Sequence, residues 1–217
     1  MDSSNRRAAQ DWWLRFYNRF VYNALAPAYN AIDWMTFGAW WRLVRRALDY
    51  VPPDGRILEV GFGPGKLQLE LARSANFSAG VDLAWGMCRL THGRLSRSGL
   101  IPKITRGSVF TLPYPSNTFD TVVSTFAFSG FTNGQAAMDE MVRVTAENGR
   151  VVLVDIGLPP DGNRLGTSLA HLWERMGDFL YDMPGMMETA GLTVTENHPF
   201  GPGHHIYAVV GEKRGEP

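Results

Sequence analysis

From residue 56 onward, short continuous apolar runs alternate with longer stretches of helical period. Ile57, Leu58 and Val60 form the first run, the pattern of a parallel strand buried on both faces. Later runs span Ser78 to Asp82, Thr121 to Ser124 and Val151 to Asp155, and Val194 to Asn197 and Ile206 to Val210 complete the set. Between them the spacing predicts helices over Lys66 to Arg73, Trp85 to Ser98, Gly134 to Glu147, Ser168 to Tyr181 and Met183 to Ala190. Ala137, Met141 and Val144 share one face of the third of these. Strands and helices taking turns in this way predict an α/β fold on a mostly parallel sheet.

The first fifty residues follow a different pattern. Residues 1 to 10 are polar, and a helix is predicted from Asp11, with Trp13, Phe16, Phe20 and Ala24 on one face and Arg15 and Arg19 on another. Pro27 interrupts it, and a second helix runs from Gly38 to Tyr50 before Pro52-Pro53-Asp54-Gly55 ends it. Five of the seven tryptophans precede residue 42, so this segment has a special task. Its apolar face can cover the core edge, close over the active site, or sit at a lipid interface, and amphipathicity alone does not choose. Residues 1 to 50 carry seven arginines against four acids, in a chain whose net charge is zero. That excess suits a solvated face, or an anionic membrane surface at about 1 kcal/mol per nearby basic residue. The expected organisation is a single domain over 1–217, with a helical lid over 11–50 and the core over 54–217.

Composition narrows the function. A length of 217 residues is enough for one sizeable core, and 45% apolar with 19% charged residues describes a folded chain. Zero net charge argues against binding nucleic acid through a basic surface. The single cysteine, Cys88, leaves no internal disulfide and no cysteine metal cluster. No metal site is expected, because no His, Cys and carboxylate set is spaced for one, and no Ser-His-Asp signal stands out. No apolar run is long enough to cross a membrane and the N-terminus starts polar, so the cytoplasm is the simplest location, with peripheral contact at the inner membrane face through the aromatic helix.

The chemistry concentrates at residues 56 to 67, Arg-Ile-Leu-Glu-Val-Gly-Phe-Gly-Pro-Gly-Lys-Leu. Strand, then Gly61, Gly63 and Gly65, then helix is the arrangement that brings backbone close to a ligand, with helix N–H groups facing it. The Gly-x-Gly-x-Gly spacing lacks the extra residue that dinucleotide-binding dehydrogenases place before their third glycine. Glu59 sits two residues before the first glycine, and Asp82 closes the next strand, where a carboxylate can accept from ribose hydroxyls.

These residues resemble the first motif of the class I S-adenosylmethionine-dependent methyltransferases. The resemblance continues at Gly107-Ser-Val-Phe-Thr-Leu-Pro113, Asn117-Thr-Phe-Asp-Thr-Val-Val123 and Gly149-Arg-Val-Val-Leu-Val-Asp155, and covers roughly residues 22 to 213. It implies a Rossmann-like sandwich with a seven-stranded, mostly parallel sheet and an antiparallel last strand. It also implies S-adenosylmethionine as cofactor and S-adenosylhomocysteine as product. By position in the family, Glu59, Gly61, Phe62, Gly63, Gly65, Asp82, Leu83, Met87, Ser108, Val109, Phe110 and Thr125 are the expected cofactor residues. Ser108 stands where the family commonly carries an acid, so it would accept from the adenine amino group without charge assistance.

Leu25-Ala-Pro-Ala-Tyr-Asn30 and Asp33-Trp-Met-Thr-Phe-Gly38 resemble the opening of the quinone C-methyltransferase and phosphatidylethanolamine N-methyltransferase branch. Tyr29 then joins the cofactor set, near the methionine end, while Asn30 replaces that branch's acid. The loop Thr125-Phe-Ala-Phe-Ser-Gly-Phe131 should frame the transferred methyl group, since ligands of open α/β sheets bind outside strand carboxyl ends. It lacks the Gly-Leu-Arg-Asn pattern of the quinone branch, which turns the expectation toward a phospholipid amine, with O- or C-methylation of a quinone or aromatic metabolite as the alternative. A phenol or enol acceptor must lose a proton, and His171, His204 and His205 are the candidate bases, with Asp155 at a strand end a weaker one. Two further readings stay open: a nicotinamide oxidoreductase, which the glycine spacing disfavours, and a non-catalytic S-adenosylmethionine-binding protein. No obligate protein partner is expected.

Overall fold

The structure is a computed structural model that describes residues 38–215. Tyr29 and the expected lid helix that begins at Asp11 therefore lie outside the described residues. The described chain opens with helix α1 (Ala39–Arg45), which tightens into a 3-10 turn (Arg46–Tyr50). The central order is β1 (Arg56–Val60), α2 (Lys66–Ser74), β2 (Phe77–Asp82), α3 (Trp85–Arg97), β3 (Ile104–Arg106), β4 (Phe119–Thr125) and α4 (Gly134–Val144). β5 (Thr145–Ile156), α5 (Arg164–Met176), α6 (Met183–Thr189), β6 (Leu192–Phe200) and β7 (Ile206–Lys213) follow.

The seven strands form one sheet in the order β3-β2-β1-β4-β5-β7-β6. β1 pairs in parallel with β2 on one side and β4 on the other, so the strand order reverses beside β1. β7 runs antiparallel to both β5 and β6. Alternate side chains feed two cores, as the pleat requires. Leu58, Val60, Val122 and Leu153 pack with Met138 and Met141 of α4 and Met187 of α6. Ile57, Val123, Val152 and Val154 pack with Ala47 and with Leu67 and Leu71 of α2. Helices thus cover both faces, and a parallel sheet buried on both faces explains the unbroken apolar runs of β1 and β5.

Several boundaries depart from the sequence expectation: β5 and β6 run longer than their apolar runs, and two helices end elsewhere. α5 starts earlier than Ser168 because the Asn163 side chain caps it, accepting from Gly166 N at 3.1 Å. It stops before Tyr181 because Gly177 adopts φ 114 at its C-cap. Residues 178 to 181 are consequently released from the helix, and Phe179 N donates to Ser129 O at 2.7 Å. α4 likewise ends at Val144 rather than Glu147, because β5 begins at Thr145.

α5 is seated on the turn between β6 and β7 by the contact of two glycines. A Cβ at Gly166 would lie 1.8 Å from Gly203 O, an overlap with backbone that no rotamer relieves. Gly166→Ala should therefore displace α5 and destabilise the chain by about 1–3 kcal/mol or more, read as a lower urea midpoint at unchanged slope. An unchanged midpoint would show that α5 is not held at this contact. Among the described residues, no helix is long and apolar enough to cross a membrane, and no group of three or more His, Cys, Asp and Glu is placed to hold a metal ion.

Candidate cofactor and acceptor site

The loop from β1 into α2 is built by three glycines with three different duties. Gly61 (φ 74) lets Ala127 approach, since a Cβ there would sit 2.4 Å from Ala127 Cβ. Gly65 (φ 71) does the same for Thr91, whose Oγ1 would be 2.3 Å away. Among the described residues, a Cβ at Gly63 (φ 50) would meet nothing within 4 Å. Two glycines are thus required by packing, and the third leaves room for a ligand over the backbone.

Asp82, half-buried at the end of β2, fixes the crest of this loop. Its Oδ2 accepts from Gly63 N at 2.8 Å and its Oδ1 accepts from Ala84 N at 2.8 Å. From the other side Thr91 Oγ1 donates to Gly63 O at 2.9 Å. Burial pushes the Asp82 carboxyl above its ordinary range, against the pull of the two backbone N–H groups. Each carboxylate oxygen can take a further donor, so a vicinal diol such as a ribose can be held here without breaking the loop.

Glu59 has a different place from the one expected of a cofactor contact. It is 1% exposed, and the Gln68 amide, assigned from its partners, donates to Glu59 Oε2 at 3.0 Å while accepting from Ser78 Oγ at 2.7 Å. Burial first, and the nearby Asp82 charge second, hold the Glu59 carboxyl well above the usual carboxylate range. Glu59 therefore braces the loop from beneath. Met87, also 1% exposed, packs with Phe62, Ala84 and Cys88 and presents no surface to line an adenosine. Leu83, beside Asp82, is exposed, as is Phe110. Phe62 and Val109 are buried, so only their backbone can meet a ligand.

The loop that follows β3 is tied to α4. Ser108 caps the 3-10 turn Val109–Thr111 by accepting from Phe110 N at 3.2 Å. Glu140 Oε1 accepts from Leu112 N at 2.7 Å, and Arg143 Nη2 donates to Leu112 O at 3.2 Å. The Arg143 hydrogen bond holds the Glu140 carboxyl below its usual range.

Thr125 ends β4, the neighbour of β1, and the aromatic segment that follows is strongly constrained. Phe126 adopts φ 48, a left-handed conformation that is an outlier for a bulky side chain. Its N–H donates to Val154 O at 2.8 Å. Its ring lies 4.3 Å from that of Trp40 on α1, and Trp40 lies 5.8 Å from Trp173 on α5. On the other flank Phe128 is fully enclosed and meets Tyr181 at 5.6 Å, while Tyr181 Oη donates to Phe131 O at 2.6 Å.

Behind the segment Ser129 links two carboxyl groups. Its N–H donates to Asp155 Oδ2 at 3.1 Å and its hydroxyl to Asp178 Oδ1 at 3.0 Å. Burial pushes Asp155 up to about 6, against the donated N–H groups of Ile156 and Ser129, and pushes half-buried Asp178 up as well. Asp155 carries a sequence signal, an acid closing a buried apolar run like Asp82. Asp178 carries none, because the helical pattern runs through it.

The three candidate histidines are not brought together. His171 is exposed on α5, with Nδ1 3.0 Å from Glu174 Oε2. His204 is exposed, with Nδ1 3.1 Å from Asp161 Oδ2. His205 is buried, and its Nδ1 lies 2.6 Å from Pro202 O within its own turn. The turn does stand at the carboxyl end of β5, since Gly157 N donates to His205 O at 2.9 Å. The three rings thus stand apart, each with a local partner outside the aromatic segment.

Residues 58–153 match the family model described as a methyltransferase domain. The chain is 31% identical over 147 residues to a demethylmenaquinone methyltransferase of Thermus thermophilus, a match covering 65% of this chain and 67% of that one. It is 30% identical over 149 residues to the ubiquinone/menaquinone biosynthesis C-methyltransferase UbiE of Geobacter sulfurreducens, covering 65% of this chain and 58% of the relative. The match therefore spans about two thirds or less of these curated relatives. Among solved structures, an S-adenosylmethionine-dependent methyltransferase of Thermotoga maritima, described as a possible histamine N-methyltransferase, superposes with a TM-score of 0.69. At 15% identity, over 89% of this chain and 99% of that one, it speaks to the fold alone. The open face over Gly63, the carboxylate at the end of β2 and the glycine-opened helix fit a nucleoside carrying a charged tail, and the relatives name the chemistry. The cofactor is accordingly S-adenosylmethionine, and the chain belongs to the class I S-adenosylmethionine-dependent methyltransferases.

Proposed function

We propose that the chain methylates an aromatic, quinone-type acceptor held over the carboxyl ends of β4 and β5. The observation that carries this reading is the aromatic segment Thr125 to Phe131, which Ala127 locks against the glycine loop at Gly61. The names of the relatives favour this acceptor class over the phospholipid amine expected from the sequence, for which they offer no support.

Bound at the glycine loop, S-adenosylmethionine supplies an electrophilic methyl group. The protein's share is to orient and to exclude water. In this proposal Asp82 holds the ribose, and Gly63 gives the cofactor's tail its backbone approach. Leu83 and Phe110 flank the adenine, and the aromatic segment presents the acceptor ring. A phenolic acceptor must also give up a proton. Asp178, half-buried and tied through Ser129 to the aromatic segment, is a better placed recipient than any of the three histidines. The same proposal keeps the chain in the cytoplasm, with the N-terminal aromatic segment near the inner membrane face when the acceptor carries a lipid tail.

An acceptor panel tests this. Release of S-adenosylhomocysteine should appear with reduced naphthoquinones or benzoquinones and not with phosphatidylethanolamine vesicles. Turnover with phosphatidylethanolamine and none with the quinols would overturn the proposed acceptor class.

A further inference from the structure

We infer that Trp40, Phe126 and Trp173 form a ring-recognition clamp that selects acceptors by the area of their aromatic face. The inference rests on the proposed quinone-type acceptor and names the residues that would discriminate among such acceptors. Three observations converge on it. First, Phe126 is the first residue beyond β4 and is held at φ 48. A bulky residue persists in that conformation only where its surroundings over-determine it, and such positions gather at functional sites. Second, α1 and α5, distant in the chain, each deliver one tryptophan to this point, with ring centroids 4.3 Å and 5.8 Å apart along the series Phe126, Trp40, Trp173. Third, all three rings are half-buried, whereas Phe128 two residues away is fully enclosed. Phe126 packs against the core that holds Val123 and Val154, and what remains exposed of the three rings at this end of the sheet is what a flat ligand would meet.

The chemistry of three neighbouring rings, tilted by 41° and 36° in the two pairs, is recognition of a flat apolar partner by offset and edge contacts. No charged group is needed for this, so a compact aliphatic amine would gain little. A fused two-ring diol would gain more than a single ring, because more of its face is covered.

Binding to the S-adenosylhomocysteine complex, followed by calorimetry, tests the clamp independently of turnover. The probes are 1,4-dihydroxynaphthalene and hydroquinone, and the proteins are the parent chain, Trp173→Leu and Phe126→Leu. Trp173→Leu should weaken the naphthalene diol about tenfold, weaken hydroquinone less, and leave S-adenosylhomocysteine affinity unchanged. Phe126→Leu, which keeps an apolar side chain in the same conformation, should do the same and guards against a folding effect in the tryptophan variant. Where the parent binds the naphthalene diol in this manner but transfers no methyl group to it, the clamp stands and the proposed reaction fails. Equal affinities for both probes across the three proteins, or no binding to the parent, would overturn the clamp.

Discussion

Asp82→Ala is expected to lose S-adenosylhomocysteine binding by on the order of a hundredfold or more, and Gly63→Val is expected to lose it altogether while remaining folded. The first effect follows from charge-assisted hydrogen bonds to two ribose hydroxyls, each worth about 1.5–3 kcal/mol. Loosening of the loop crest adds to it, since Asp82 also receives Gly63 N and Ala84 N. Asp82→Asn keeps one acceptor oxygen and should lose less. The second effect separates ligand space from packing space. Among the described residues a side chain at Gly63 meets nothing within 4 Å, so its cost to folding there is the strain of φ 50, about 1–2 kcal/mol. The space it fills is the face reserved for the cofactor. Valine at Gly61 or Gly65 would instead collide with Ala127 or Thr91 and should harm folding itself. Calorimetric titration of the folded variants checks this, and parental affinity in both Asp82→Ala and Gly63→Val would refute the proposed site.

The second large effect concerns Asp155 and pH. Its carboxyl is raised from 3.8 to about 6 in the folded chain, chiefly by burial. Below the unfolded value the group is protonated in both states and its contribution to stability is fully present. As pH rises through about 6, ionisation favours the unfolded chain and that contribution is lost. A shift of this size corresponds to about 3 kcal/mol by pH 8. The side chain introduced by Asp155→Asn would stay neutral throughout. It would forfeit one of the two bonds now accepted from Ser129 N and Ile156 N, a cost of about 1 kcal/mol that does not vary with pH. Between pH 4 and pH 8 the stability of Asp155→Asn relative to the parent should therefore improve by about 2 kcal/mol, roughly six degrees in Tm for a chain of this length. Thermal melts across that range measure it. Curves that run parallel would mean that the buried carboxyl does not carry the assigned shift.

What could be read from the sequence was the part where chemistry dictates residue type at fixed spacing. Gly61, Gly63, Gly65 and Asp82 stand out because a backbone-approach loop and a ribose acid require those residues after those strands. The sheet was legible because strands buried on both faces leave unbroken apolar runs, as in β1 and β5. Facing was harder. Glu59 and Met87 occupy the expected positions in the chain, yet the pleat of β1 and the turn of α3 send both side chains into the interior. Boundaries failed where one residue decides them: Asn163 caps α5 early and Gly177 ends it, which brings Asp178 to Ser129. The meeting of Trp40, Phe126 and Trp173 was invisible because it depends on how α1 and α5 seat on the sheet, and no local pattern encodes that. The histidines were chosen for their chemistry, and only geometry shows that each is engaged within its own turn or with a neighbouring acid.

The most direct test is a structure of the complex with S-adenosylhomocysteine. The ribose hydroxyls should lie within hydrogen-bond distance of Asp82, the tail over Gly63, and the sulfur toward Thr125 and the aromatic segment. An open cleft of about 570 Å³ lined by Leu48, Tyr50, Pro53, Arg150 and Glu212 contains no residue of the glycine loop. Density for the nucleoside in that cleft or anywhere else away from Asp82, with the face over Gly63 empty, would contradict the account.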